Sequence, residues 1–152
     1  MAVEILCLAP AHCAALERLF ARIAGDPTSC HFHPHPFSEL EAQRICNYVG
    51  KDKYVGLRYE AEFSGYGMLR GWDEGFLVPS LGIYVAPELR GTGAARLLMQ
   101  HLHLIAKLAG AQQVRLKAYR ENTAAYRLYR AMGYEFAEQK EAEAQLIGVL
   151  RL

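Results

Sequence analysis

The chain has 152 residues, of which 52% are hydrophobic and 22% are charged. This length is typical of one domain, expected to span residues 1–152, and the composition excludes a disordered or collagen-like chain. The net charge is only +1, but residues 81–130 hold eight basic and two acidic side chains and carry +6, which predicts an anionic ligand near the middle of the chain.

Hydrophobic periodicity predicts seven strands and four helices in the order βααβββαβαββ, a mixed sheet covered by helices. Strands are expected over residues 3–8, 53–59, 62–69, 81–85, 113–119, 134–139 and 144–150, and helices follow Pro10, Ser38, Gly93 and Asn122. Ser38 and Glu41 form a capping box, and Gly110 and Gly133 are C-caps. The third helix is expected to have one apolar side, composed of Leu97, Leu98, His101, Leu102, Leu104, Ile105 and Leu108.

No segment of the sequence predicts a membrane span or a signal peptide. The longest uncharged run, residues 75–87, has thirteen residues, whereas a span needs about twenty apolar ones. An acid at Glu4 stands where a signal peptide has positive charge. The four cysteines show no C-x-x-C spacing, which indicates free thiols and a cytoplasmic location.

A glycine-containing loop joins the fourth strand to the third helix. Its sequence, Arg90-Gly91-Thr92-Gly93-Ala94-Ala95, allows positive φ at the glycines, and the free amides of the helix start can bind an anion. It lacks the Gly-Lys-Ser/Thr of a Walker loop and the three glycines of a dinucleotide fingerprint. Taken alone, the loop is equally consistent with an ordinary strand-to-helix turn.

The loop is accompanied by a second motif, Asn122-x-x-Ala125-x-x-x-Tyr129-x-x-x-Gly133-Tyr134. Together the two motifs resemble the GNAT superfamily of acyl-CoA-dependent N-acetyltransferases, whose loop reads (Arg/Gln)-x-x-Gly-x-(Gly/Ala). The resemblance covers about residues 80–136, and the element order agrees over nearly the whole chain. It implies an α/β (α+β) fold with a mixed, mostly antiparallel sheet of about seven strands flanked by about four helices.

The resemblance also implies acetyl-CoA as co-substrate. Its pyrophosphate would lie on the backbone amides from Arg90 to Ala95, and its pantetheine along β-strand residues before the loop. The implied cofactor-binding residues are Ile83, Tyr84, Val85, Arg90, Gly91, Thr92, Gly93, Ala94, Ala95 and Asn122. A partner with three phosphate groups accounts for the local excess of positive charge.

Tyr129 is the expected catalytic residue. Its spacing of seven from Asn122 places both on one helix face. The pattern alone favours core packing of this ring, whereas the resemblance implies that its hydroxyl protonates the departing thiolate. The amine would attack the thioester directly, with the amide of Val85 as an oxyanion donor, because no basic partner is recognisable for Cys30 or Cys46 as an acyl carrier.

The general base is left open by the sequence. Residues 81–85 lack the acid that superfamily members often carry there, and Lys117 stands where some protein N-terminal acetyltransferases have Glu, which argues against a peptide α-amine. The remaining candidates are Asp73, Glu74, Tyr84 and the histidines of residues 31–35.

Two segments are expected to shape the acceptor pocket. Residues 30–37, the His-Pro segment, supply His33, His35 and Phe37, and the segment after the third strand supplies Trp72, Asp73 and Glu74.

The histidines of the His-Pro segment could also suggest a metal site. His31, His33 and His35 alternate and so could face one zinc ion, but Pro34 and Pro36 stiffen the segment and such closely spaced ligands rarely converge. We therefore expect no metal site.

The expected acceptor is a small-molecule primary amine, with an amino sugar or sugar nucleotide among the candidates. The basic residues are spread over a loop, two helices and a strand without a recognised reading module, so we expect no nucleic-acid partner. Protein or peptide amine acetylation and a non-catalytic CoA-binding sensor are the alternatives. A homodimer is one assembly that we consider.

Overall fold

The computed structural model describes residues 2–137 and 144–152, in which seven strands and four α-helices follow the expected order βααβββαβαββ. The strands are β1 (Val3–Cys7), β2 (Lys53–Tyr59), β3 (Glu62–Arg70), β4 (Ser80–Val85), β5 (Gln113–Tyr119), β6 (Glu135–Phe136) and β7 (Gln145–Arg151). The helices are α1 (Cys13–Gly25), α2 (Glu39–Cys46), α3 (Ala94–Leu108) and α4 (Thr123–Ala131). The sixth strand was predicted over residues 134–139, of which 138 and 139 lie outside the described residues.

The strands form one sheet in the order β1-β2-β3-β4-β5-β7-β6. Each neighbouring pair is antiparallel except β4 and β5, which are parallel and share a single paired position, Ser80 with Arg115. Beyond this position the two strands diverge. The sheet is therefore mixed and mostly antiparallel, as predicted, with an opening near its middle.

Helices cover both faces of the sheet. On one face α1 and α2 pack against the aromatic side chains of β2, β3 and β4, including Tyr54, Tyr66 and Tyr84. On the other face α3 packs against an aliphatic core. The alternation of β5 shows this division, because Val114, Leu116 and Ala118 are buried in the α3 core while Arg115, Lys117 and Tyr119 point to the α1 and α2 side.

The predicted helix caps are present. The Ser38 hydroxyl accepts from the amide of Glu41 at 3.1 Å, and the Asn122 side chain accepts from the amide of Ala125 at 3.3 Å. Gly110 and Gly133 follow their helices with φ of 91° and 100°, the left-handed conformation that favours glycine.

The predicted apolar side of α3 is wrong in part. The buried residues are Leu98, Met99, Leu102 and Ala106, whereas Leu97, Leu104 and Leu108 are 47%, 56% and 80% exposed. At 100° per residue, these three leucines lie more than a quarter turn from the centre of the buried arc. A sheet covers only part of the circumference of a helix that packs on it. The apolar residues of α3 extend around more of the helix than the sheet covers, so some of them stay exposed.

Among the residues described, no helix combines the length and the apolar character that crossing a membrane requires.

Candidate active site

A cleft of about 800 Å³ occupies the opening between β4 and β5. Its walls are the end of β4, the glycine loop before α3, the end of β5 and the first turns of α4. Because the two strands are paired only at Ser80 and Arg115, the backbone of β4 beyond that position is not covered by β5.

The backbone of β4 directs polar groups into this cleft. The amide of Ala86 donates to Ser64 on β3 at 2.8 Å, whereas the carbonyl of Pro79 accepts from Arg115 on β5 at 3.0 Å. Since backbone groups alternate along a strand, those of Ile83 and Val85 point away from β3 and into the opening. They present an extended edge to which a ligand chain can bind.

The glycine loop ends the cleft with a group of unpaired amides. Gly91 and Gly93 have φ of 74° and 91°, and within residues 2–137 and 144–152 the amides of Gly91, Gly93, Ala95 and Arg96 donate to no acceptor. They lie at the start of the 15-residue helix α3, where the helix dipole is positive. This arrangement suits a phosphate group.

The unpaired amides differ in part from those predicted. The amide of Arg90 donates to Pro87 at 3.2 Å, that of Thr92 to Leu89 at 3.4 Å, and that of Ala94 to the Thr92 hydroxyl at 3.3 Å. Local hydrogen bonds thus occupy every second amide of the predicted run from Arg90 to Ala95. The unpaired amide of Arg96 lies one residue beyond the end of that run.

The Arg90 side chain holds the loop to β4 and to residues 26–28. Its guanidinium donates to the Val85 carbonyl at 3.1 Å, to the Thr28 hydroxyl at 2.6 Å and to Asp26 at 3.1 Å. Hydrogen bonds from Thr28, together with Tyr84 and the Arg90 charge, lower the pKa of Asp26 to about 2. The charge of Arg90 is therefore balanced by an ionised carboxylate.

The surroundings of Tyr84 disfavour it as a general base. Its hydroxyl donates to Asp26 at 2.8 Å. Burial and this hydrogen bond to a carboxylate raise the pKa of Tyr84 to about 12. The phenol therefore stays protonated at neutral pH.

Tyr129 lies on the wall of the cleft, on the same face of α4 as Asn122 and Ala125. No group among the described residues forms a hydrogen bond with its hydroxyl, and burial raises its pKa to about 12. Tyr126, three residues earlier, instead packs on Phe136 with ring centroids 4.9 Å apart and is not part of the cleft wall. The structure thus presents one protonated phenol from α4 to the cleft.

The two cysteines considered as acyl carriers lie in different parts of the fold. Cys46 is buried in the α1 and α2 core, and desolvation raises its pKa to about 12. Cys30 is exposed at the wall of the cleft.

A second cavity of about 420 Å³ adjoins the cleft on the α1 and α2 side of the sheet. The two share six lining residues, namely His31, Phe32, Leu81, Gly82, Lys117 and Tyr119. The His31 ring lies 4.8 Å from that of Tyr119. A molecule in the second cavity can therefore approach one in the cleft near His31.

Only part of the predicted acceptor segments reaches this cavity. His33 lines it, and its ring nitrogen contacts the Cys30 carbonyl. His35 and Phe37 do not line it, so the structure does not bring either residue to the predicted pocket. The His35 side chain is 5% exposed, and its Nε2 lies 2.9 Å from the Tyr66 hydroxyl. The rings of His35 and Phe37 both pack on Phe20, so these two residues belong to the aromatic core.

Only one of the three residues predicted from the segment after β3 lines the cavity. Trp72 packs at the edge of the α3 core, and Asp73 accepts from the amides of Lys51 and Asp52 at 2.9 and 3.3 Å. Neither lines the cleft or the cavity, so the structure does not bring them to the predicted acceptor side, and the Asp73 carboxylate is engaged by backbone amides. Glu74 does line the cavity.

The histidines considered as zinc ligands lie in different surroundings. His35 lies in the core while His33 is exposed. Across the described ranges, no three His, Cys, Asp or Glu side chains are grouped to hold a metal ion.

The sequence interpretation did not assign Arg70, Arg115, Lys117 and Tyr119 to the acceptor side, yet all four line the second cavity. The alternation of β5 was the available signal, since Arg115, Lys117 and Tyr119 must share one face. Whether that face of β5 lines a cavity depends on where the His-Pro segment lies, and local sequence patterns do not predict its position.

Comparisons with known proteins agree with this geometry. Residues 18–134 match the family model described as the acetyltransferase (GNAT) family. The fold is similar to the GNAT domain of PAT from S. lividans, with TM-score 0.81, 13% identity, and coverage of 99% of this chain and 90% of that one.

Two further solved structures are similar over the full length. The PaiA N-acetyltransferase from Thermoplasma acidophilum, in complex with coenzyme A, gives TM-score 0.78 and 17% identity, with 100% of each chain covered. A GNAT-family acetyltransferase from Streptococcus pneumoniae gives 0.77 and 14%, with 99% of this chain and 100% of that one covered. No curated protein matches the chain in sequence.

Proposed function

Because the chain belongs to the GNAT acetyltransferase family, whose members are N-acetyltransferases, we propose that it transfers an acetyl group from acetyl-CoA directly to a primary amine of a small-molecule acceptor. The observation that carries this proposal is the opening between β4 and β5, which combines a free strand edge, unpaired amides and a protonated phenol. The adjoining cavity of about 420 Å³ is of the size that small ligands occupy.

We assign the cleft to acetyl-CoA, which supplies the thioester. The amides of Gly91, Gly93, Ala95 and Arg96 would hold its pyrophosphate, since they are unpaired and lie at the positive end of α3. The backbone of Ile83 would pair with its pantetheine as an added strand pairs with a sheet edge, while the Val85 carbonyl accepts from Arg90. Asn122 would act indirectly, by holding the first turn of α4 against the cleft.

Two groups would stabilise charge as the amine attacks. The amide of Val85 points into the opening and can donate to the carbonyl oxygen as it becomes negative. Tyr129 would donate to the departing thiolate. With a pKa of about 12, full proton transfer to a thiolate of pKa about 8.5 is uphill by roughly 5 kcal/mol, so its main contribution is a hydrogen bond to the developing charge.

His31 is the general base that the geometry favours. Of the candidates raised by the sequence, Tyr84 and Asp73 are engaged elsewhere, and His35 is in the core. Glu74 and His33 line only the second cavity, whereas His31 lines both spaces and so lies where an amine and a thioester would meet. We assign it the role of accepting the proton of the attacking amine.

The proposal is tested by release of free thiol from acetyl-CoA with a panel of amines, comparing the native chain with Tyr129→Phe and Tyr126→Phe. We expect turnover by the native chain and by Tyr126→Phe, and a fall in kcat of about tenfold to a hundredfold for Tyr129→Phe with little change in the Kd of acetyl-CoA. Tight acetyl-CoA binding without turnover of any amine would indicate a sensor instead. Turnover confined to peptides would refute the small-molecule acceptor.

A cytoplasmic location and a homodimer stay predictions from the sequence.

A further inference from the structure

We propose that the acceptor amine also carries an anionic group, a carboxylate or a phosphate ester, and that Arg115 and Lys117 bind this group in the second cavity. The inference rests on the proposed function, because it concerns the acceptor of the same reaction. It goes beyond that function by stating the charge class of the acceptor and the residues that select it.

The two cations are held on one face of β5. Their neighbours Val114, Leu116 and Ala118 are buried under α3, and the alternation of the strand therefore turns Arg115 and Lys117 toward the cavity. Arg115 occupies the one position at which β5 pairs with β4, and its amide donates to Pro79 at 3.0 Å. Its backbone is thus fixed at the point where the two strands begin to separate.

The Arg115 side chain has an unmet hydrogen-bonding requirement. Its Nε is buried and has no hydrogen-bond partner, the one such side-chain atom found among the described residues. A buried donor without an acceptor is costly and uncommon in folded proteins. An anionic ligand group in the cavity would supply the acceptor that the chain does not.

Among the described residues, the charged side chains that line the cavity are also unbalanced. Arg18, Arg22, Arg44, Arg58 and Arg90 each form an ion pair with a carboxylate. Arg70, Arg115 and Lys117 line the cavity, and none of the three forms an ion pair within the part of the chain that the structure describes. Arg70 donates instead to the Pro34 carbonyl at 2.7 Å, which fastens the His-Pro segment over the cavity.

A surplus of positive charge in a partly enclosed space favours an anionic ligand and opposes a polycationic one. Of the residues that the structure describes, Glu74 is the one acid that lines the cavity. An acceptor with its amine near His31 can place an anionic group between Arg115, which lines only the cavity, and Lys117, which lines both spaces. Polyamines and aminoglycosides, which bring only positive charge, fit this lining poorly.

The test compares amines that differ in one anionic group. Lysine against cadaverine is the carboxylate arm, and glucosamine 6-phosphate against glucosamine is the phosphate arm. Each is assayed by thiol release with the native chain, with Arg115→Gln and Lys117→Gln, and with Lys107→Gln, an exposed cation of α3 outside the cavity, as control. Inorganic phosphate and acetate are added as inhibitors of the best amine.

We expect the anionic member of at least one pair to have a kcat/KM about tenfold or more above its partner, as hydrogen bonds to charged groups are worth this much. Arg115→Gln and Lys117→Gln should remove most of that preference through the acceptor KM, leaving the KM of the neutral amine unchanged. The KM of acetyl-CoA should be unchanged in Arg115→Gln, because Arg115 lines the second cavity and not the cleft. Lys107→Gln should behave as the native chain. Lys117 is exposed, so its variant remains informative if Arg115→Gln fails to fold.

The inference is overturned if neutral or cationic amines are the best acceptors and neither phosphate nor acetate competes with them, while turnover shows that the proposed function stands. Equal preference in the native chain and both cavity variants overturns it as well. If the chain neither binds acetyl-CoA nor releases thiol with any amine, the proposed function fails and this inference fails with it.

Discussion

Replacing Gly93 with alanine tests whether the amides at the start of α3 bind the phosphates of acetyl-CoA. Gly93 and Gly110 share a φ of 91°, and an added Cβ meets no atom within 4 Å at either position. The backbone penalty of alanine in this left-handed conformation is therefore similar at both, roughly 1–2 kcal/mol. Chemical denaturation should show matched losses in the free energy of unfolding for Gly93→Ala and Gly110→Ala.

The two variants should differ in binding, because only Gly93 lines the cleft. A Cβ at Gly93 would stand in open space beside the unpaired amides, where a phosphate must approach closely. Loss of one hydrogen bond from an amide to a charged phosphate costs about 1.5–3 kcal/mol, which is roughly a tenfold to hundredfold change in Kd. Titration calorimetry with coenzyme A should show this loss for Gly93→Ala and a change within about twofold for Gly110→Ala. Equal affinities would refute the assignment of the amides.

Three further predictions concern Asp26, His31 and Phe37. The pKa of Asp26 is about 2 when folded against an ordinary 3.8, so it should contribute about 2 kcal/mol above pH 4 that is lost as the pH falls toward 2. Asp26→Asn should lower the unfolding free energy at pH 7 by about that amount and flatten its dependence between pH 4 and 2; an unchanged profile would contradict this. His31→Gln should reduce kcat at least about tenfold without changing the Kd of acetyl-CoA, and unaltered turnover would exclude it as the base. Phe37→Ala should lower the unfolding free energy by about 3 kcal/mol in denaturant titration while leaving the acceptor KM unchanged; an altered KM with an intact core would restore its acceptor role.

Much of the fold follows from local patterns. The capping residues Ser38 and Asn122, the C-cap glycines and the alternation of β5 act within a few residues, and the structure confirms the elements that they predict. The glycine loop and the α4 motif are also local. Their resemblance to the GNAT superfamily agrees with the family match over residues 18–134.

The functional roles of individual side chains were less predictable. His35 and Asp73 are polar residues in segments that suggested a pocket, yet one hydrogen-bonds to Tyr66 and the other to the amides of Lys51 and Asp52. Those partners are between 21 and 31 residues away. A side chain committed to a distant partner looks, in the sequence, the same as one that is free.

The element order, the family resemblance and an excess of positive charge in residues 81–130 are all readable in the amino-acid sequence. Which of those charges are available to a ligand depends on how the chain folds. Arg90 is balanced by Asp26 of a distant segment, whereas Arg115 and Lys117 face a cavity and form no ion pair with any described residue. The physical reason is that a charge count sums over the chain, while pairing depends on which side chains folding brings within about 4 Å of one another.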